Sequence, residues 1–178
     1  VLRRFAEGFA SNSLLMAVLF LPILAGLAEL FEWTVPAKVA ADHLLQVKAP
    51  YLNLKFFLVR MAIYFVVWIA MSRYFFRQSV KQDETGDPAI TTQMQKWSAP
   101  SIILYAITLT FCGFDLLMSL EPRWFSTIFG VYLFSGGALG FFAILPILSL
   151  LLQRSGHLSR VISIEHYHDM GKLVFAFT

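Results

Sequence analysis

The chain has 178 residues and a net charge of +3, and its composition excludes an ordinary soluble domain. Hydrophobic residues make up 58% of it and charged residues only 14%, whereas a soluble domain carries roughly 25% charged residues. We therefore expect an all-α, polytopic helical membrane protein. The basic excess is better explained by cytoplasmic loops than by nucleic-acid binding. The single cysteine, Cys112, excludes an intrachain disulfide and a cysteine-ligated iron–sulfur cluster within the chain.

Four long apolar runs predict four transmembrane helices within a single membrane domain covering residues 1–178. About 20 apolar residues are needed to cross a hydrocarbon core of about 30 Å. The predicted helices cover residues 13–33, 51–76, 99–120 and 126–152, and a fifth begins at 173–178. Because the chain stops inside that last run, we expect a fragment of a longer subunit.

Prolines predict local features in three of these helices. Pro22 predicts a kink in the first helix, whose freed carbonyl a neighbouring helix would satisfy. Ser98 is the expected N-cap of the third helix, with Pro100 in its first turn. Pro146 predicts a kink in the fourth helix.

Two glycines of the fourth predicted helix, Gly136 and Gly140, form a G-x-x-x-G pair. Such a pair lets a second helix approach closely in a membrane. The alternative is that glycine is simply common in membrane helices, and the sequence leaves both interpretations open.

Residues 77–97 predict a polar loop, because the sequence Q-D-E-T-G-D-P within them is typical of a turn. Counting basic residues on the two sides of the predicted helices gives the orientation. The loop side holds nine of them: Arg3, Arg4, Arg73, Arg77, Lys81, Lys96, Arg154, Arg160 and Lys172. The opposite side holds five: Lys38, Lys48, Lys55, Arg60 and Arg123. The sequence therefore predicts that the N-terminus and the 77–97 loop face the cytoplasm.

Asp115 is the first candidate functional residue, since a charge within a membrane helix is costly and usually faces protein or water. Arg60 lies about 14 Å into the second predicted helix at 1.5 Å per residue, and the up-and-down topology brings it to the layer of Asp115 and Glu29. A buried pair of Arg60 with Asp115 or Glu29 would fix helix register. Alternatively, the carboxylate lines a proton path or a polar headgroup site, and Glu121 and Arg123 extend this polar line to the surface.

A second charged cluster precedes the fifth predicted helix. It contains Glu165, His166, His168, Asp169 and Lys172. On a helix these residues lie three or four positions apart and share one face. The cluster is typical of a capped helix start, or of a proton-entry site in which histidine titrates near neutral pH. Glu-x-x-His is also half of a di-iron signature, but a second copy of that motif is missing.

The histidines also bear on haem binding. A b-type haem within a bilayer needs histidines inside the membrane helices. The four histidines lie outside the predicted helices or at their ends: His43, His157, His166 and His168. We therefore expect no cofactor in this chain.

Two stretches resemble the ActF-type membrane subunit of alternative complex III, a relative of the NrfD and polysulfide-reductase membrane subunits. They are D-L-L-M-S-L-E-P-R-W-F-S-T-I-F-G-V-Y at 115–132 and E-H-Y-H-D-M-G-K-L-V-F-A-F-T at 165–178. The resemblance implies an NrfD-like bundle of up-and-down helices in which this chain is part of a ten-helix subunit.

The same resemblance implies a role in a quinol:cytochrome c oxidoreductase of the bacterial inner membrane. Quinol would be the substrate of the complex, and haem c and iron–sulfur clusters would lie in partner subunits. The implied partners are an ActC-like membrane paralogue, iron–sulfur and cytochrome c subunits, a terminal oxidase and membrane lipid, but no nucleic acid. Proton half-channels are implied for this subunit type. The residues at matching positions are Asp115, Glu121 and Arg123 in the first stretch and the charged cluster in the second.

Two other functions remain open. The chain could be a purely structural anchor for peripheral redox subunits, which has no need of charges placed in one membrane layer. It could also be a secondary transporter, but such proteins tend to show inverted repeats and matching broken helices, and neither is evident in the sequence.

Overall fold

The computed structural model describes residues 2–156 and 161–178, and within these ranges it contains helices and turns but no strand. The helices are α1 Leu2–Ser11, α2 Ser13–Leu19, α3 Leu21–Ala25, α4 Leu27–Leu30, α5 Pro36–Ala41, α6 His43–Lys48, α7 Leu54–Thr85, α8 Pro88–Leu116, α9 Phe129–Arg154 and α10 Ile164–Ala176. Short 3-10 turns lie at Glu32–Thr34 and Met118–Leu120.

Four of the described segments are long and apolar enough to cross a membrane. They are Arg3–Ala25, Leu54–Thr85, Pro88–Leu120 and Phe129–Arg154. Many large apolar side chains on them face outward, including Val66, Ile102 and Ile147 at 66%, 65% and 58% exposure. Because a soluble monomer rarely exposes contiguous apolar surface on this scale, these faces indicate a membrane protein.

The first membrane segment begins earlier than predicted. The predicted helix begins at residue 13, but Leu2–Ser11 is helical as well. Arg3 and Arg4 both pair with Glu7, one turn away on the same helix, so these charges are compatible with a helix. Near Pro22, where a kink is predicted, the regular helix is broken at Phe20, since α2 ends at Leu19 and α3 begins at Leu21.

The loop predicted at 77–97 is wrong except at its centre. Helix α7 continues to Thr85, and α8 begins at Pro88. Gly86 ends α7 with φ 66°, a left-handed conformation that glycine adopts without steric cost. Asp87 is the N-cap of α8, because its Oδ1 accepts a hydrogen bond from the Ala89 N–H at 2.8 Å. The turn chemistry was recognised correctly, but the polar residues around it belong to the exposed ends of two helices.

The predicted start of the third helix at Ser98 and Pro100 is therefore also wrong. Pro100 lies inside α8, where it removes one backbone donor. The Ser98 hydroxyl donates to the Gln95 carbonyl at 2.8 Å, within the same helix. Asp87 followed by Pro88 is an equally good start signal, and it comes first along the chain.

The segment between the first two predicted helices, residues 34–50, is expected to be a polar connection, but the structure makes residues 31–53 part of the apolar core. Leu45 of α6 is 1% exposed, and Trp33 is 4% exposed. The Trp33 ring packs against Phe31 and Phe57, with ring centroids 5.3 and 5.2 Å away. This segment thereby covers the start of α7.

The long helices pack in chain order, each against the one before it. Helix α7 packs against α1 and α2, α8 against α7, α9 against α8, and α10 against α9. Helix α10 begins at Ile164, nine residues before the predicted 173–178 segment. The beginning of α7 and the end of α8 lie together, and we name this region the Asp115 end. The end of α7 and the beginning of α8 lie together with α1, and we name this region the Glu7 end.

Of the glycines in α9, Gly130 rather than the G-x-x-x-G pair makes a close helix contact. A Cβ atom on Gly130 would lie 2.5 Å from the Thr110 hydroxyl of α8. A Cβ atom on Gly136 or Gly140 would meet no atom within 4 Å. Within the described residues, close packing of α8 and α9 therefore depends on Gly130.

Candidate functional site

A buried ion pair joins α7 to α8 at the Asp115 end. Arg60 donates from Nε to Asp115 Oδ2 at 2.8 Å and from Nη2 to Asp115 Oδ1 at 2.9 Å. Arg60 is 6% exposed and Asp115 is fully buried. The predicted Arg60–Asp115 pairing is confirmed, and its bidentate geometry is the strongest form of such a contact.

Further donors and rings complete the surroundings of this pair. The Tyr64 hydroxyl donates to Asp115 Oδ2 at 2.9 Å, and Arg60 Nη1 donates to the Tyr51 carbonyl at 3.0 Å. The guanidinium carbon of Arg60 lies 3.9 Å from the Tyr51 ring centroid and 4.3 Å from that of Phe56. Both rings thus attract the cation while excluding water from it.

Sequence spacing explains how α7 builds this site. Arg60, Tyr64, Trp68 and Ser72 lie four residues apart and therefore share one helix face. Trp68 Nε1 donates to the Thr108 hydroxyl of α8 at 2.9 Å, so the same face makes a second polar contact between the helices. The four-residue spacing from Arg60 is visible in the sequence, but the polar roles of Tyr64 and Trp68 are not, because an aromatic residue in an apolar run is typical of any membrane helix.

Glu29 does not join the Arg60–Asp115 pair. It lies in α4 with an exposed side chain, so the alternative Arg60–Glu29 pairing is wrong. Asp115 is the penultimate residue of α8, which places the pair near a helix end rather than at mid-helix. Glu29 lies in the short helix between Gly26 and the 3-10 turn at Glu32–Thr34, with its side chain exposed.

Arg123 forms a surface network near the Asp115 end. Its Nη1 lies 3.1 Å from Glu32 Oε2, and its Nη2 lies 2.8 Å from Asp42 Oδ2. Glu121 is also within 3.5 Å of Nη1. The Arg123 hydrogen bond lowers the pKa of Glu32, and the Leu44 N–H, followed by Arg123, lowers the pKa of Asp42. Arg123 thus ties the segment after α8 to residues 31–53.

The Glu165–Lys172 cluster is the N-terminal part of α10. The Ser163 N–H donates to His166 Nδ1 at 3.1 Å, which forms one half of a capping box. Lys172 pairs with Asp169 at 3.0 Å and lowers the pKa of that carboxyl group. No ion pair joins Glu165 or His168 to the others within the described residues, and His157 lies outside them. The predicted capped helix start is therefore present, and the proton-entry role of the cluster stays a prediction.

A second buried carboxylate, which the sequence analysis missed, defines the Glu7 end. Glu7 is only 7% exposed, and it lies 3.1 Å from Arg3 Nε and 3.5 Å from Arg4 Nη1. Arg4 also pairs with Asp83 near the end of α7. Arg3 Nη2 donates to the Gln82 side chain at 3.0 Å. The three- and four-residue spacing of Glu7 from the two arginines was the signal that could have revealed this cluster.

A cavity of about 490 Å³ lies between α1, α7 and α8. Glu7 and Ser13 line it from the N-terminal helices, Trp68 and Ser72 from α7, and Tyr105 from α8. The cavity therefore connects the surroundings of Glu7 with the Trp68–Thr108 contact, two turns along α7 from Arg60. Most of its lining is apolar, so the polar groups of Glu7, Ser13, Ser72 and Tyr105 are the places where water could be held.

Among residues 2–156 and 161–178, no group of three or more His, Cys, Asp and Glu side chains is placed to hold a metal ion. Comparison with known proteins adds no assignment. No protein-family model matches the chain, and no curated protein matches it.

Proposed function

We propose that this chain is an integral membrane subunit of a quinol-oxidising respiratory complex of the alternative complex III type, and that it contributes a proton pathway while anchoring redox subunits. The assignment to that complex rests on the resemblance of residues 115–132 and 165–178 to ActF-type subunits. The four membrane-spanning segments are consistent with this role. The complex would sit in a bacterial inner membrane and oxidise quinol, with its haems and clusters in partner subunits.

The proton pathway is supported by two buried carboxylates, Asp115 of α8 and Glu7 of α1, which pack near opposite ends of α7. Asp115 lies at one end and Glu7 at the other, and both are at least nine-tenths buried. Between them lie the Tyr64 hydroxyl, the Trp68–Thr108 hydrogen bond and the 490 Å³ cavity. A proton could travel through waters in the cavity and be exchanged at groups near each end.

A second candidate role is supported by the completeness of the Arg60–Asp115 geometry. Both carboxylate oxygens accept hydrogen bonds, and the guanidinium lies between two rings. A pair whose hydrogen bonds are satisfied in this way could have a single role, which is to fix the register of α7 against α8. The chain would then be a structural anchor, and the experiment must separate the two roles.

Mutating the pair one residue at a time and then together makes that separation. Asp115→Asn leaves Arg60 buried without its counter-charge, which typically costs about 3–5 kcal/mol of stability. The double variant Arg60→Met with Asp115→Leu removes both charges and should restore assembly. If Asp115 serves proton transfer, the double variant assembles but quinol-driven turnover, or the proton release coupled to it, stays impaired.

The matched control is Glu84→Gln, which removes an exposed carboxylate that forms no ion pair within the described residues and should leave assembly and turnover unchanged. A double variant with full turnover and full coupling would rule out the proton role of Asp115 and leave the structural role. Assembly is measured by the subunits that co-purify, and coupling by proton release per quinol oxidised.

A further inference from the structure

Three basic residues form an unpaired row along the outer face of α7 near the Glu7 end. Arg73, Arg77 and Lys81 lie four residues apart, so they share one face, and all three side chains are exposed. Together with Ala70, Tyr74 and Gln78 they line a groove of about 410 Å³ between side chains on one face of α7.

No acidic side chain within the described residues forms an ion pair with any of these three cations. Arg3, Arg4 and Arg60, in contrast, each pair with a carboxylate. The groove therefore presents an uncompensated positive charge to the surroundings of the helix.

A second groove, apolar in character, continues from the first. It has a volume of about 280 Å³ and runs between α7 and α8, where Trp97, Pro100 and Leu104 line it. Ala70 and Tyr74 line both grooves, so the basic one opens directly into the apolar one.

Tyr74 also carries a polar atom with no partner at this junction. Its hydroxyl is enclosed and forms no hydrogen bond within the described residues. Its ring packs edge-on against Trp97, with centroids 6.1 Å apart. Tryptophan and tyrosine are enriched where a membrane helix meets the headgroup layer.

We infer that the two grooves together bind one anionic phospholipid. Arg73, Arg77 and Lys81 bind its phosphate, since guanidinium groups match phosphate oxygens in a bidentate manner. An acyl chain lies along the apolar groove beside Trp97. Basic pockets on the cytoplasmic side of membrane helices suit such headgroups, and the Glu7 end is the side predicted to face the cytoplasm.

The apolar groove decides between a lipid and an acidic segment of another subunit. A carboxylate-bearing protein segment would satisfy the three cations but has no need of an apolar groove between two helices leading from the charges. A phospholipid needs both features side by side, a cationic site for its phosphate and an apolar groove for its acyl chain.

The test compares lipid binding by the protein, extracted in mild detergent with the subunits that accompany it. Cardiolipin and phosphatidylglycerol are titrated against phosphatidylcholine as the neutral probe. The variant carries Arg73→Gln, Arg77→Gln and Lys81→Gln. Its matched control carries Lys55→Gln, Lys96→Gln and Arg154→Gln, which removes the same total charge from exposed sites outside both grooves.

We expect the groove variant to lose about 100-fold in affinity for the anionic lipids and the control variant to lose far less. Trp97→Ala should weaken binding of the long-chain lipid but not of glycerol phosphate, which separates a lipid from a free phosphate ligand. Equal losses in the groove and control variants would overturn the proposal. Unchanged lipid affinity, with loss of a co-purifying subunit from the groove variant alone, would also overturn it and assign the surface to a protein partner.

Discussion

At the scale of single residues, two arginines have opposite environments near the same end of the molecule. Arg60 is buried between rings and makes three directed hydrogen bonds, two of them to one carboxylate. Arg123 is about half exposed and shares its charge among Glu32, Asp42 and Glu121. Salt therefore weakens the Arg123 pairs more than the Arg60 pair, since solvent screens exposed pairs far more than buried ones. Changes in pH act on the carboxylate partners of Arg123.

The first prediction concerns the loss of the Arg123 ion pairs when Glu32 and Asp42 are protonated at acidic pH. The folded-state pKa values of Glu32 and Asp42 are lowered, so their contribution to stability is present at neutral pH and is lost as the pH falls through those lowered values. We expect residues 31–53 to lose protection from hydrogen exchange below about pH 4, near the ordinary carboxylate pKa.

Arg123→Gln removes the partner responsible for much of this effect. The variant should show lower protection at neutral pH and a flatter pH dependence below about pH 4. Lys172→Gln, which affects the separate Asp169 pair in α10, is the control and should leave residues 31–53 unchanged. An identical pH profile in Arg123→Gln and the parent protein would contradict the prediction.

At the scale of helices, the sequence predicted which segments are helical better than where they begin and end. The number of long apolar helices and the pairing of Arg60 with Asp115 followed from hydropathy and topology. The ends of the helices could not be predicted from hydropathy, because polar residues extend a helix beyond its apolar run. Residues 77–85 do so in α7, which ends only at Gly86. Residues 31–53 escaped recognition because their buried side chains are separated by charged ones that reach the surface.

Side-chain partners were harder to predict than helices for a related reason. Tyr64 and Trp68 become polar partners only through the rotation of α8 that brings Asp115 and Thr108 opposite them. An apolar run gives no information on that rotation, since every face of the helix is hydrophobic. Glu7 was missed because its helix was expected to begin after it.

Helix packing gives a prediction that distinguishes glycines within α9. Gly130→Ala places a Cβ within 2.5 to 2.8 Å of three atoms of Thr110, so α8 and α9 must separate. Overpacking of this kind costs about 1–3 kcal/mol. We expect a lower midpoint of thermal unfolding in detergent.

Gly136→Ala is the matched control, because its Cβ would meet no atom within 4 Å. Alanine also stabilises a helix by about 1 kcal/mol relative to glycine. Its unfolding midpoint should equal or exceed that of the parent. A loss of stability in Gly136→Ala as large as that in Gly130→Ala would show that α9 packs through the G-x-x-x-G face instead.

At the scale of the whole molecule, the alternating helices collect the charges into two separate layers. Arg3, Arg4 and Asp83 lie together at the Glu7 end. Arg123 and its three carboxylate partners lie near the Asp115 end, where Lys48 also donates to the Pro122 carbonyl. Both the proton pathway and the lipid site depend on which of these two layers faces the cytoplasm.

The last prediction tests that orientation directly. The nine-to-five distribution of basic residues predicts that the Glu7 end faces the cytoplasm. Ser79, though close to that end, is only 1% exposed, so a cysteine there would be protected on either side of the membrane. Glu84 near the end of α7 and Thr127 before α9 are both exposed and lie at opposite ends, which makes them a matched pair of reporters.

In a Cys112→Ala background, Glu84→Cys should resist a membrane-impermeant thiol reagent in intact cells and react once the membrane is permeabilised. Thr127→Cys should react in intact cells. The reverse labelling pattern would show that the topology is inverted and that Arg73, Arg77 and Lys81 lie on the outer side of the membrane. The lipid proposal would then lose the argument that rests on the cytoplasmic side.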